Sequence, residues 1–379
     1  MTAVAAPALP RTDGSWQTAV RDRTDFVTEW DELVDRVGAM PFARPGWFAA
    51  WWRAFGQGTP QVLRVRRGGR LAGVLPVSTR RGRAANLYNW HTFLCSPIAE
   101  DADVEAELID RALHSAPFLA DLGHLSEPSA DLAEQIIRRA GGSYRRHVVQ
   151  SSPYVAITGT FEEFLAERTT KFVARIRQRR RKLEKAGDLT LAVHDGAGDQ
   201  RQLDAALDEA FRVEGMGWKA ANGTAILSDP RTAAFYRDVA HWAVRHDLLH
   251  ITTLRQAGPN GDRAIAVELA LDDGRAHYGL KVGFDPEFRA AGPGFILAHD
   301  LLQSAFERGL ETFEFMGSVS EEKLRWTEDA RRIWHIRAFR GSMGGRSAAV
   351  ATAGWKAAGS AARKGIAQVK NSTGRTDST

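Results

Sequence analysis

Two carboxylates, an imidazole and a phenol are the groups in this sequence best suited to moving a proton. Glu268 interrupts the apolar run AIAVELAL in mid-strand, where a charge must face solvent or a cleft. His277 and Tyr278 follow in HYGLKV, and Glu214 closes a helical pattern just before Gly215. A carboxylate or imidazole can take the proton of an attacking amine or alcohol, and a tyrosine hydroxyl can return one to a leaving group. Glu214, Glu268 and His277 are the candidates for base or acceptor orientation, and Tyr278 is the candidate acid. Trp218 and Lys219 follow Glu214, and Lys323 lies further on. Two carboxylates, two ammonium groups and an indole suit a polar amine that also carries an anion. The same residues equally suit dispersed surface ion pairs, with His277 a structural histidine and Glu268 on a solvated strand face.

A second feature points to an anion. In Arg289-Ala-Ala-Gly-Pro-Gly294 the glycines let backbone N–H groups approach a ligand, and the helix that follows leaves its first amides unpaired. Arg289 can add a charge-assisted bond to the same group. Taken alone, Gly292-Pro293-Gly294 is also an ordinary turn.

These residues depend on the elements around them. Ile265, Val267, Leu269 and Leu271 alternate as a strand, Asp273-Gly274 reverses the chain, and HYGLKV returns, which predicts a β-hairpin. From Phe295 the apolar period becomes helical through Ile296, Leu297, Leu301, Leu302 and Phe306, Gly309 stops it, and a short strand follows at 312–316. Upstream, 23–155 reads as helix, aromatic helix, hairpin, helix, strand and helix. Its aromatic run (Trp47, Phe48, Trp51, Trp52, Phe55) fits either packing or an acceptor wall. His147 to Ile157 supplies a crossing segment to a second half of similar layout, which suggests two related folds in tandem. Between Lys171 and Lys185 the chain is dense in Lys and Arg. Solvated helix surface, contact with an anionic ligand and nucleic-acid binding compete there. The absence of a second basic tract argues against the last.

With 379 residues and 44% hydrophobic content, the chain can build two substantial cores. Its single cysteine, Cys95, excludes an internal disulfide and is expected in a core. No secretory leader or membrane-spanning run is evident, so a cytoplasmic protein without integral membrane insertion is expected. A net charge of +5 is compatible with anionic ligands. No His, Asp and Glu spacing predicts a metal site.

The strand pair, the R-A-A-G-P-G loop and its helix resemble the acyl-CoA-binding core of the GNAT N-acetyltransferases. Their loop of the type R/Q-x-x-G-x-G/A wraps the CoA pyrophosphate, a pattern met here by Arg289, Gly292 and Gly294 with Pro293 between. More closely, the basic pattern from Arg175 to Gly187, Glu214 to Ala225, Gly292 to Gly294 and Glu322 to Trp326 (EKLRW) resembles the CelD-like, cellulose-biosynthesis-associated acetyltransferases, whose tandem GNAT architecture is related to the Fem transferases. The resemblance implies an α/β fold of tandem GNAT-like acyl-CoA N-acyltransferase units, with mixed central sheets flanked by helices. It implies a flexible lead (1–22), an N-terminal unit lacking the cofactor loop (23–155), a C-terminal acyl-CoA-binding unit (156–340) and a basic flexible tail (341–379). Acetyl-CoA or another acyl-CoA would be the donor, with its pantetheine arm along the edge that ends at Lys281 and Val282, and with no metal. Tyr278 would then protonate the departing thiolate. The expected acceptor is a small amine or saccharide-derived molecule, attacked directly between the halves. Fem-like aminoacyl transfer and a non-catalytic tandem-GNAT binding protein are the alternatives, and no oligomeric state is implied.

Overall fold

The structure is a computed structural model that describes residues 15–20, 25–217, 223–259 and 261–339. Trp218, Lys219 and the tail 341–379 lie outside the described residues. Within the expected lead, Ser15–Val20 form a short helix α1, and Trp16 stacks on Trp52 with centroids 6.4 Å apart. Burial of that indole ties the segment down.

Helix α2 (Phe26–Val37) buries Phe26, Trp30, Leu33 and Val34 at helical spacing and ends at Gly38, whose φ of 63° suits a glycine cap. Helix α3 (Pro45–Phe55) carries the aromatic run. Its Trp47 packs edge-on against Phe42 and against Phe235 of the second half, at 4.9 and 5.1 Å. Trp47 and Phe55 thus pack the halves together on Phe235, while Phe48 and Trp52 pack on Trp30 and Trp16 within the first half.

Strands β1 (Thr59–Arg67), β2 (Arg70–Arg80), β3 (Arg83–Asn86) and β4 (Ile98–Ala99) precede helix α4 (Ala102–His114), strand β5 (Leu119–Leu125), helix α5 (Glu127–Arg139) and the long strand β6 (Ser143–Ala156). The second half runs α6 (Phe161–Ala166), α7 (Thr170–Glu184), β7 (Leu189–His194), α8 (Gln200–Glu214), α9 (Pro230–Val244), β8 (Leu249–Gln256), β9 (Arg263–Asp272), β10 (Ala276–Phe284), α10 (Pro293–Glu307), β11 (Thr312–Glu314) and β12 (Ala330–Phe339). The expected hairpin is β9–β10. Its turn is held by Asp273, whose Oδ1 accepts from the Arg275 and Ala276 amides.

All strands join one 12-stranded sheet in the order β1-β2-β3-β5-β12-β6-β11-β10-β9-β8-β7, with β4 beside β2. Each half is built around one parallel pair with a crossover helix. In the first half α4 links β3 to β5, and in the second α10 links β10 to β11. The halves are joined by β6, whose start pairs with β12 and whose end pairs with β11. The last strand, β12, returns to the first half's sheet between β5 and β6, so the unit expected over 156–340 lends its final strand to its neighbour. The fold is mixed α/β, with helices flanking one large mixed sheet that the two halves share.

Candidate active site

Strands β10 and β11 pair at three positions, Ala276 with Thr312, His277 with Phe313 and Tyr278 with Glu314. Beyond these the pairing ends, and both strand continuations line a cleft of about 810 Å³. On the β9 side the register slips between Gly279 and Lys281, a bulge at Leu280. Such a bulge bends the strand and re-aims its backbone. The cleft is bounded by Gly279 to Phe284, the residues at Gly292 and Gly294, the end of α8, and the segment 315–326.

Glu268 reaches the cleft from β9. Its Oε2 lies 2.8 Å from His277 Nε2, and His277 Nδ1 lies 3.5 Å from Asp272 Oδ2. Arg308 holds Asp272 bidentately, at 2.8 and 2.9 Å. Burial alone would lower the His277 pKa, but its hydrogen bonds to Asp272 and Glu268 outweigh that and push it up to about 9. Gly279 faces the remaining oxygen: a Cβ there would stand 2.6 Å from Glu268 Oε1. The glycine leaves room for the carboxylate against the strand.

Glu214 comes from the end of α8, where a Cβ on Gly283 would stand 2.3 Å from the Glu214 Cα. Its Oε2 accepts from the Ile226 amide at 2.9 Å, which fixes the buried side chain at the cleft wall. Lys281 lines the cleft with its ammonium 5.3 Å from the Tyr236 ring, and Val282 follows it on the same edge. The Lys323 ammonium donates to the Met316 and Ser318 carbonyls and so secures the 316–318 turn.

Helix α10 begins at Gly292, with φ of 65° and no side-chain cap, followed by Pro293, which has no amide hydrogen to satisfy. Gly292, Gly294 and Arg289 line the cleft. So do Arg175 and Arg179, one turn apart on α7. A Cβ on Gly292 would come within 2.7 Å of Arg179 Nη1. The uncapped helix start, the close glycine and the guanidinium groups fit the phosphates of a CoA-type donor. Phe172 of α7, Phe295 of α10 and Trp326 pack ring on ring, with Trp326 4.9 and 5.1 Å from the other two. That contact holds the basic helix over the start of α10.

The sequence therefore anticipates Glu214, Glu268, Lys281, Val282, Arg289, Gly292, Gly294 and Lys323, all of which line one cleft. Pro293 shapes the helix start without lining it. His277 sits behind Glu268, only 2% exposed, and touches the cleft through that carboxylate. Tyr278 is not brought to the cleft. Strand alternation turns it to the opposite face from His277, where it packs edge-on against Phe42 at 5.3 Å with its hydroxyl 3.4 Å from Asp273. Burial pushes its pKa well above the usual tyrosine range. Tyr278 therefore has no path to a leaving group in the cleft.

Several cleft residues were not singled out for the site. Arg175 and Trp326 fall in motifs that carried the family resemblance, whereas Trp90 gave no signal. Trp90 is 74% exposed and comes from the first half. Its loop is tied to both halves: Asn89 Oδ1 accepts from the His91 amide at 2.9 Å, and the His91 ring stacks on Phe55 and meets the Tyr236 hydroxyl at 3.1 Å.

Among the described residues, no cluster of three metal-ligating side chains occurs, and no helix is long and apolar enough to cross a membrane. Residues 170–324 match the acetyltransferase (GNAT) domain family, a span that contains α7, the hairpin, the Gly292 loop and Lys323. No curated protein matches the chain in sequence. Among solved structures, FemX is similar at a TM-score of 0.57 and 11% identity, over 82% of this chain and 95% of that one. L-PGS from Bacillus licheniformis is similar at a TM-score of 0.53 and 13% identity, over 83% and 91% of the two chains. A conserved protein of unknown function from Bacteroides thetaiotaomicron VPI-5482 gives 0.54 at 9% identity, over 84% and 99%. At these identities the likeness is one of fold, and it extends over both halves, whereas the match to the acetyltransferase (GNAT) domain family is confined to residues 170–324.

Proposed function

We propose that this protein transfers an acyl group from acyl-CoA to the amine of a small polar acceptor, such as an amino-acid or amino-sugar derivative, in the cleft beside β10. The observation that carries this reading is that Glu268 and the uncapped start of α10 open onto the same cleft at the Leu280 bulge. Bound acyl-CoA supplies a thioester carbonyl open to attack by an amine. The chain's part is to hold the diphosphate at Gly292 to Gly294, to direct the Leu280 backbone N–H at the carbonyl oxygen, and to take the amine's proton at Glu268 Oε1. His277 occupies Oε2 and so leaves Oε1 as the oxygen facing β10. Asp272 and Arg308 orient His277 from behind. Glu214 and Lys323 flank the acceptor, and Trp218 and Lys219, outside the described residues, are the further acceptor-binding candidates from the sequence. Trp90 offers the acceptor's carbon frame a flat apolar surface from the first half. A CoA donor assigns the activity to the cytoplasm.

Fem-like aminoacyl transfer is the second reading, favoured by the fold likeness to FemX over both halves. Thiol release from acetyl-CoA, measured with a panel of amino sugars and amino acids, tests the first reading. Glu268→Gln should cut turnover while CoA affinity is kept, and unchanged turnover would remove the base assignment. A strict requirement for charged tRNA, with no thiol release, would replace the first reading by the second.

A further inference from the structure

The cleft is lined by Arg175, Arg179, Arg289 and Arg325, more positive charge than a diphosphate requires. Arg175, Arg179 and Arg325 line the same cleft, Arg179 beside Gly292 and close enough to the other two to be repelled by them. Some arginines of this half have acidic partners: Arg180, on the same helix as Arg179, pairs with Asp300, and Arg308 with Asp272. Among the described residues, Arg175, Arg179 and Arg325 make no ion pair within 4.0 Å. Arg179 is wedged between Gly292 and the Phe295 ring, its guanidinium carbon 4.9 Å from the ring centroid. Burial first, and then repulsion from Arg175 and Arg325, lower its pKa, with Glu322 acting weakly the other way. Three like charges held together at a cleft wall cost free energy unless an anion joins them. One guanidinium and the helix start already match a diphosphate at Gly292 to Gly294.

Resting on the acyl-CoA reading above, we propose that Arg175 and Arg325, with Arg179 beside them, form a separate site for the ribose monophosphate of the donor. The protein thereby distinguishes CoA from its 3′-dephospho form. The helix start holds the diphosphate, which both molecules carry. The arginine group holds the monophosphate, which only CoA carries, through charge-assisted hydrogen bonds of the kind guanidinium forms with phosphate. The basic run is thus specificity for the donor's nucleotide end.

Calorimetric titration of CoA and 3′-dephospho-CoA into the full chain and into an Arg175→Gln, Arg325→Gln double variant tests this. The parent should bind CoA about tenfold or more tightly than 3′-dephospho-CoA. The variant should bind both equally, at the parent's dephospho-CoA affinity, and the parent's preference should shrink as salt rises. Circular dichroism checks the variant's fold, and Arg175→Lys should retain part of the preference. Equal affinity of the parent for both ligands would overturn the monophosphate site and leave the acyl-CoA reading standing. A preference that survives the double substitution would assign it to other residues. Failure of the parent to bind either ligand would overturn the acyl-CoA reading itself.

Discussion

The two crossover helices begin in opposite ways. Helix α4 starts behind Asp101, whose Oδ1 accepts from the Val104 amide at 2.9 Å, with Asp103 and Glu105 in its first turn. Its amides have a partner from the chain itself, and its charge repels anions. Helix α10 has no side-chain cap, starts at a glycine and is faced by arginines. The strand ends differ in the same sense. Past the last paired positions, Ala85 with Asp121 and Tyr278 with Glu314, the next residue is Asn86 in the first half and Gly279 in the second. Asn86 donates to the Cys95 and Gly123 carbonyls, both at 2.8 Å, and accepts from the Gly123 amide at 2.9 Å. The segment 93–95 lies alongside, its Cys95 amide bonded to the His124 carbonyl at 2.7 Å. The first half has filled with its own chain the gap that the second half keeps open as a cleft. The two halves thus share a strand–helix–strand crossover but differ at its open end, and the difference rests on a cap, a glycine and one inserted segment.

Removing the proposed base in the open half gives the largest expected effect. Glu268→Gln should lower turnover by about 10²–10⁴-fold, the range for a positioned general base, with CoA affinity within about twofold of the parent. A matching loss of CoA affinity would show that Glu268 serves binding instead. Next comes the helix start. Gly292→Val places a β-branched residue at φ of 65° and against Arg179, and should weaken CoA binding by about tenfold or more in calorimetry. Its mirror in the first half is Asp101→Ala, which should lower the urea midpoint and leave CoA affinity unchanged.

Opening the filled half sharpens the contrast. Asn86→Gly strands buried partners at Gly123 and Cys95 and should cost about 1–3 kcal/mol. It should create no second CoA site, because α4 remains acidic and capped. The smallest effect expected is on pH dependence. His277 is raised from its ordinary 6.5 to about 9 in the folded protein, so it binds protons more tightly folded than unfolded. Its contribution to stability is therefore complete below about pH 6.5 and is lost as pH rises through about 9. The urea midpoint should fall over that window, and His277→Gln should flatten the fall.

The sequence made much of this half legible because its signals are local. The alternating hairpin, the Asp273 turn, the change of period at Phe295 and the Gly-Pro-Gly helix start each lie within a few residues of chain. What it hid depends on long-range pairing. The return of β12 to the first sheet has no local signature, since the strand reads the same beside either half. Trp90 reaches the cleft only because α3 and α9 pack the halves together. The basic helix was ambiguous until Trp326 seated it over Phe295. Tyr278 shows a different limit. Period-two alternation already places it opposite His277, and only the aromatic packing on Phe42 shows which of the two faces is buried away from the cleft.

A crystal structure of the full chain grown with CoA tests the central contrast most directly. The account predicts one CoA per chain, its diphosphate at the start of α10 against the Gly294 amide and its thiol near Glu268 at the Leu280 bulge. CoA seated between β3 and β5, or in both halves, would contradict it.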